Sequence, residues 1–194
     1  MIELTGDIFK IAFREYGTYD AFLVTTNGFW NAKGEAVMGA GVARTMKERY
    51  PDIPKTLGTF LRENHKRMKD DAGAKEREPW NVPYCIGKGV RGVNIFSFPT
   101  KPTFIYRKED ALDCYTYEFD RENRLPGWKG KGSLSLIERS AQLFHAWVES
   151  APLIFKHIIL TRPGCGNGQL SWSEVKPVLD KYFDERYTLV EKNG

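Results

Sequence analysis

The chain is 194 residues long with 41% hydrophobic and 13% aromatic residues, enough for a proper buried core and best suited to one domain. Its 29 basic residues against 25 acidic ones leave a net charge of +4, which admits a polyanionic partner without demanding one. Three cysteines, Cys85, Cys114 and Cys165, form no CxxC pair and leave an odd one over, so no disulfide framework is implied and a reducing compartment is the simpler reading.

The opening "MIELTGDIFK" lacks a basic segment followed by an apolar one and does not read as a signal peptide. No apolar run reaches about 18 residues, so no transmembrane helix and no membrane partner are expected, and the chain reads as cytoplasmic. The first strand candidate is 20–26, "DAFLVTT". Gly39 and Gly41 follow and open a helix patterned by Val42, Ala43 and Met46. Residues 62–79 are charged and mixed in sign, and read as a surface insertion. Strand candidates come next at 82–86 and 93–98, then a second polar insertion at 106–132 that ends in a Gly/Lys/Pro-rich loop. In "SLSLIERSAQLFHAWVES", Leu134, Ile137, Ala141, Phe144 and Val148 keep helical spacing, with Ser135 and Glu138 as a capping box. A strand at 157–161 leads into a loop with glycine at 164, 166 and 168. A helix over about 172–183 follows, capped by Ser171 and Glu174, although Pro177 allows a later start at Ser173. The last strand candidate is 187–190. Several of these strands are continuous apolar runs, as central strands covered on both faces require. Their alternation with helices predicts a layered α/β domain with a largely parallel sheet, spanning 1–194 as a single unit with two insertions.

The glycine loop at 162–169 is not a nucleotide fingerprint of a standard type. It has no Walker lysine, Gln169 stands where a dinucleotide motif needs its third glycine, and only 26 residues follow Gly168. The physics of such motifs still applies, because glycine at a strand-to-helix junction lets backbone N–H groups approach a phosphate. Two such junctions, at 39–41 and 164–168, suit convergence on one diphosphate; taken singly, each also suits a plain tight turn.

Four segments resemble the macrodomain family, whose members bind ADP-ribose and in many cases hydrolyse its linkages: "LTGDIF" (4–9), "TTNGFWNAKGEAVMGAGVA" (25–43), "NIFSFPTK" (94–101) and "RPGCGNGQLSWSEVKPVL" (162–179). The nearest branch is that of the DNA ADP-ribosyl glycohydrolase antitoxins and the terminal ADP-ribose protein glycohydrolase. The likeness implies a three-layer α/β/α fold with a mixed, largely parallel central sheet and ADP-ribose across its C-terminal edge. It implies Asp7 at the adenine with Ile8 beside it, and Asn27 or Asn31 at the distal ribose. Met38, Gly39, Ala40, Gly41 and Val42 become one phosphate cradle, and Pro163, Gly164, Cys165, Gly166, Asn167 and Gly168 the other. Thr100 lies beside Lys101, which falls where this branch keeps a catalytic lysine. An amine there attacks the anomeric carbon or its opened aldehyde form. One departure stands out: Gly168 replaces the aspartate that the protein-directed relative pairs with its lysine.

The implied function is removal of ADP-ribose from a macromolecule, DNA first and an acyl-linked protein second, by a monomer that needs no cofactor and holds no metal. A non-catalytic ADP-ribose-binding module and an ADP-ribose 1''-phosphate phosphatase are the alternatives. Cys165 has no histidine partner in the sequence and reads as a small buried residue. His65, His145 and His157 lack metal-ligand spacing. Asp110, Asp113, Glu118 and Asp120 read as a solvated face. Trp128 with Lys129 and Lys131 has the makeup of a single-strand contact and equally that of an exposed loop. Tyr182 and Tyr187 are two of several candidates to stack on adenine.

Overall fold

Strand β2 (Ala21–Asn27) shows how the sheet is built. Its first four residues are fully buried, and they alternate: Ala21 and Leu23 join one hydrophobic cluster, Phe22 and Val24 the other. A strand with both faces apolar needs helices on both sides, and this strand has them. The computed structural model describes residues 1–13, 19–69, 80–106, 124–151 and 154–192. Asp110, Asp113, Cys114, Glu118 and Asp120 lie outside the described residues, as do 70–79 and 107–123.

In chain order β1 (Ile2–Thr5), α1 (Ile8–Ala12), β2, α2 (Gly41–Arg49), α3 (Ile53–Lys69), β3 (Tyr84–Lys88) and β4 (Asn94–Lys101) come first. Then follow β5 (Phe104–Tyr106), β6 (Arg124–Pro126), α4 (Leu134–Ser150), β7 (Ile158–Thr161), α5 (Trp172–Leu179) and β8 (Tyr187–Glu191). Six strands form the main sheet in the order β1-β8-β7-β2-β4-β3. Every neighbouring pair is parallel except β3 with β4, so the sheet is mixed and largely parallel. β5 and β6 make a separate antiparallel pair.

The sheet separates two cores. On one face Ile8, Phe9, Met46, Leu57 and Leu61 from α1 to α3 pack on Phe22, Ile95 and Ile159. On the other, Ile137, Phe144 and Val148 of α4 and Val175 and Leu179 of α5 pack on Leu23, Phe96, Phe98 and Leu160. This is a three-layer α/β/α arrangement.

Three local expectations change. The N-cap of α4 is Ser133, not Ser135: the Ser133 hydroxyl accepts from the Leu136 amide, while Glu138 pairs with Lys181 at 2.7 Å. The start moves because the Ser133 amide is tied to the Thr100 carbonyl at 2.9 Å, so the helix is anchored to the end of β4. Helix α5 does begin at Trp172 with the Ser171–Glu174 capping box, and Pro177 lies inside it instead of delaying its start. It ends at Leu179, short of 183, where the Leu179 carbonyl accepts from both Tyr182 and Phe183. Residues 62–69, read as the start of a polar insertion, continue α3, and Asn64 there is buried.

Candidate functional site

β2, β4, β7 and β8 run in one direction, so their C-terminal ends meet at one rim of the sheet. A cavity of about 620 Å³ opens along that rim. Its floor is Thr25–Asn27, Thr100, Lys101, Thr161, Arg162 and Val190–Lys192, and its sides are 37–43 and 164–168 with Trp128 at one edge. Ligands of open α/β sheets bind outside such carboxyl ends.

The first side is the start of α2. Helices α1, α4 and α5 begin on Asp7, Ser133 and Ser171, whose side chains accept from first-turn amides. Helix α2 begins on Ala40 with no side-chain cap. Its first-turn N–H groups therefore face the cavity with no side chain to neutralise them, a ready site for an anion. Nothing lies within 4 Å of a Cβ built on Gly39, so the backbone there is open to a close approach.

The second side is the loop 162–169. Gly164 has φ +77°, and a Cβ on it would meet Leu170 at 2.8 Å and Ile137 at 2.9 Å. A Cβ on Gly168 would lie 2.3 Å from the Gly164 carbonyl oxygen. Gly168 is thus glycine because the loop folds onto itself, and no acid side chain fits there. Gly166 has open space above it. The two loops meet: a Cβ on Gly41 would sit 3.6 Å from Asn167 Nδ2.

Lys101 ends β4 and is half-buried. Its Nζ donates to the Asn167 carbonyl at 2.8 Å and to the Trp128 carbonyl at 3.1 Å. Burial lowers its pKa below the ordinary lysine value, since desolvation disfavours the ammonium. Arg162 directly follows β7. It pairs with Glu3 at 3.0 Å and Glu191 at 2.6 Å, and its guanidinium sits 4.8 Å from the Trp172 ring centre. Lining side chains thus include three cations, Lys101, Arg162 and Lys192, and one carboxylate, Glu191. Cys165 lines the wall, but burial pushes its thiol pKa up and the thiol donates to the Pro163 carbonyl. A protonated thiol is no nucleophile.

Of the residues named from sequence, the structure brings together Asn27, Met38, Gly39, Ala40, Gly41, Val42, Thr100, Lys101, Gly164, Cys165, Gly166, Asn167 and Gly168 on one cavity. Asp7, Ile8, Asn31 and Pro163 do not line it. Asp7 caps α1, accepting from the Phe9 and Lys10 amides. Ile8 is in the core, at 6% exposure. Asn31 closes its own turn, accepting from the Lys33 and Glu35 amides. Pro163 is buried behind the loop. Asn27 lines the cavity with its amide already engaged, donating to the Val37 carbonyl and accepting from the Phe29 amide. It braces the loop that leads to Gly39. Tyr187 is fully buried and stacked on Phe183 at 3.9 Å, and Tyr182 packs in the layer of α4 and α5, so neither reaches the cavity. Sequence reasoning did not single out Arg162, Thr161 or Val190–Lys192. The usable signal was position alone, since each ends or directly follows a parallel strand.

No protein-family model matches the sequence, and no curated protein matches it. Solved structures match along nearly the whole chain. The macrodomain of Mycobacterium tuberculosis DarG superposes with a TM-score of 0.62 at 18% identity, over 99% of this chain and 97% of that one. The macrodomain of Thermus aquaticus DarG gives 0.61 at 19% identity, over 99% and 97%. Thermosipho africanus DarTG in complex with ADP-ribose gives 0.61 at 17% identity, over 100% of this chain and 42% of that one.

Proposed function

We propose that this chain, which has the macrodomain fold, is an ADP-ribosyl hydrolase that removes ADP-ribose from a macromolecule, with Lys101 as the reactive residue. The observation that carries the reading is the rim itself. The uncapped start of α2 and the 164–168 loop face each other across a cavity that Lys101 borders. Two sets of backbone N–H groups suit a diphosphate, and a partly desolvated amine suits attack on a sugar carbon beside it.

In the proposed reaction the neutral Lys101 Nζ forms a bond to the anomeric carbon of the distal ribose while the bond to the acceptor breaks. The acceptor leaves with the bonding pair and takes up a proton. Water then adds to the same carbon, the carbon–nitrogen bond breaks, and the amine is restored. Glycine at position 168 leaves no room for a partner acid in that loop, so the loop holds the diphosphate and the chemistry rests on the lysine. The first choice of acceptor is DNA, and the second is a protein carboxyl in acyl linkage. ADP-ribose is the product, and no cofactor takes part.

The test combines binding and turnover. Calorimetry with ADP-ribose establishes the cavity, and release of label from an ADP-ribosylated oligonucleotide and from an ADP-ribosylated protein establishes the activity. Lys101→Ala is expected to abolish release and keep ADP-ribose binding. Binding without release by the native chain reduces the function to recognition. Release of phosphate from ADP-ribose 1''-phosphate in place of either macromolecular reaction makes it a phosphatase. Release that survives Lys101→Ala overturns the lysine mechanism.

A further inference from the structure

We infer that the Trp128 indole, flanked by Lys129 and Lys131, is the acceptor-side subsite and stacks on a base of single-stranded nucleic acid; this rests on the reading of the cavity and Lys101 above. Trp128 sits on the 3-10 turn Gly127–Lys129. That turn is fixed by the main chain: the Gly127 amide donates to the Thr103 carbonyl at 2.9 Å, and a Cβ on Gly127 would come within 1.7 Å of the Pro102 carbonyl oxygen. The Trp128 carbonyl accepts from Lys101 Nζ at 3.1 Å. Trp128 therefore lines the cavity with its main chain held at the amine. On this inference the acceptor bonded to the carbon that Lys101 attacks leaves the cavity past this residue.

The state of the ring separates it from an ordinary packed tryptophan. Trp147 is equally exposed, at 42%, yet its ring meets Phe96 at 4.8 Å and also Phe144 and Phe155. Trp128 is 42% exposed, and among the described residues no aromatic ring packs on it. Among the described residues the Lys129 ammonium lies over the ring, 5.5 Å from its centroid. Holding an indole in water at a cavity mouth costs hydrophobic free energy that a stacked base would recover. Lys129 and Lys131 are both exposed, and Glu174, a carboxylate within electrostatic reach of Lys131, is engaged in the cap of α5. Lysines beside an open aromatic face suit a chain with a phosphate at every step. A peptide presents no such regular anion, so nucleic acid is the better match.

The test measures anisotropy of a labelled, unmodified single-stranded oligonucleotide of about ten nucleotides alongside calorimetry with free ADP-ribose. Proteins compared are the native chain, Trp128→Ala, Trp128→Phe and the double variant Lys129→Gln with Lys131→Gln. Trp128→Ala is expected to lower oligonucleotide affinity about tenfold relative to ADP-ribose affinity, and Trp128→Phe to recover most of it. The double lysine variant is expected to flatten the salt dependence, reducing the slope of log K against log salt by about 1.4. The proposal is overturned by a native chain that does not bind the oligonucleotide, or by Trp128→Ala binding it as well as the native chain. It is also overturned, in favour of a protein acceptor, when Trp128→Ala impairs release from ADP-ribosylated protein and not from ADP-ribosylated oligonucleotide. Failure of the underlying reading shows separately, as absence of ADP-ribose binding or release that does not need Lys101. Should Trp128→Ala fail to fold, Trp128→Leu, which keeps apolar bulk without an aromatic face, takes its place with the same expected loss and the same overturning result.

Discussion

Gly166 and Gly168 stand two residues apart and differ in what a single methyl group meets. At 168 it runs into the Gly164 carbonyl at 2.3 Å, and at 166 it meets nothing within 4 Å. Gly168→Ala is therefore expected to cost about 1–3 kcal/mol in denaturant unfolding, whereas Gly166→Ala stays within about 0.5 kcal/mol. Both should weaken ADP-ribose binding, the first by distorting the loop and the second by holding the ligand off its backbone. Equal stability of the two variants would show that the loop relaxes around the added carbon. Lys101 carries a second prediction at this scale. Its pKa lies below the ordinary 10.5 because burial disfavours the ammonium. In the proposed reaction the nucleophile is the neutral amine, so the release rate is expected to rise with pH and to level off below pH 10.5. A flat profile from about pH 6 to pH 9 would remove the amine from the rate-limiting step. The same shift makes Lys101 a cost to folding at neutral pH, one that fades as pH climbs through its folded value toward its unfolded one.

Helix α5 begins where the glycine loop ends, so its cap holds the loop as well as the helix. Ser171 accepts from the Glu174 amide, and the Glu174 carboxylate accepts from the Ser171 amide at 2.8 Å. Ser171→Ala is expected to lower stability by about 1 kcal/mol in chemical denaturation and to weaken ADP-ribose binding as well. A loss of stability with binding untouched would uncouple cap from loop. A second fastening lies at Glu3, on the edge strand β1. It accepts from Lys176 of α5, from Arg162 after β7 and from the Trp172 indole. The Lys176 bond does most to hold the Glu3 pKa below its ordinary 4.5, with Arg162 and Trp172 adding to it. A depressed carboxylate stabilises the fold above its unfolded pKa and loses that contribution as pH falls through its folded one. Glu3→Gln should thus melt below the native chain at pH 7, with the two curves converging as the pH drops below 4.5. A gap that persists in acid would mean packing, not charge, is what Glu3 supplies. Elements of this kind were legible in the sequence to different degrees. The apolar strands at 20–26 and 157–161 stood out because both faces are buried, and the α5 cap because its two residues lie in one short motif. The α4 cap was misplaced because the choice between Ser133 and Ser135 depends on the distant Thr100 carbonyl. The polar residues at 62–69 hid the end of α3, where among the described side chains Asn64 alone is buried.

At the scale of the whole molecule one sheet serves two cores, and neither core has a face of its own to fall back on. Phe22 is fully buried on one side of it and Phe96 nearly so on the other. Phe22→Ala and Phe96→Ala are each expected to cost about 3–5 kcal/mol, and each variant should still unfold in a single transition. Two resolved transitions in calorimetry would show that the layers fold apart. The site was legible in proportion to its chemistry. Glycines and Lys101 announce themselves by type and spacing, and thirteen of the named residues line one cavity. Asp7 caps α1, Asn31 closes a turn and Tyr187 sits in the core, and such positions draw on the same residue types as ligand contacts, so residue type alone did not place them. Lys192 carries no motif, and Arg162 opens the glycine-loop segment with no role assigned to it there; the direction in which β7 and β8 run places both. That dispersal of the lining, from Thr25 to Lys192, has a consequence for how the chain behaves in a cell. The cavity has no local precursor, because its lining comes together only with β8 in place beside β7. On the proposed function, ADP-ribose would therefore bind the folded chain and not the unfolded one, and by mass action it should shield that chain from proteases as its concentration rises.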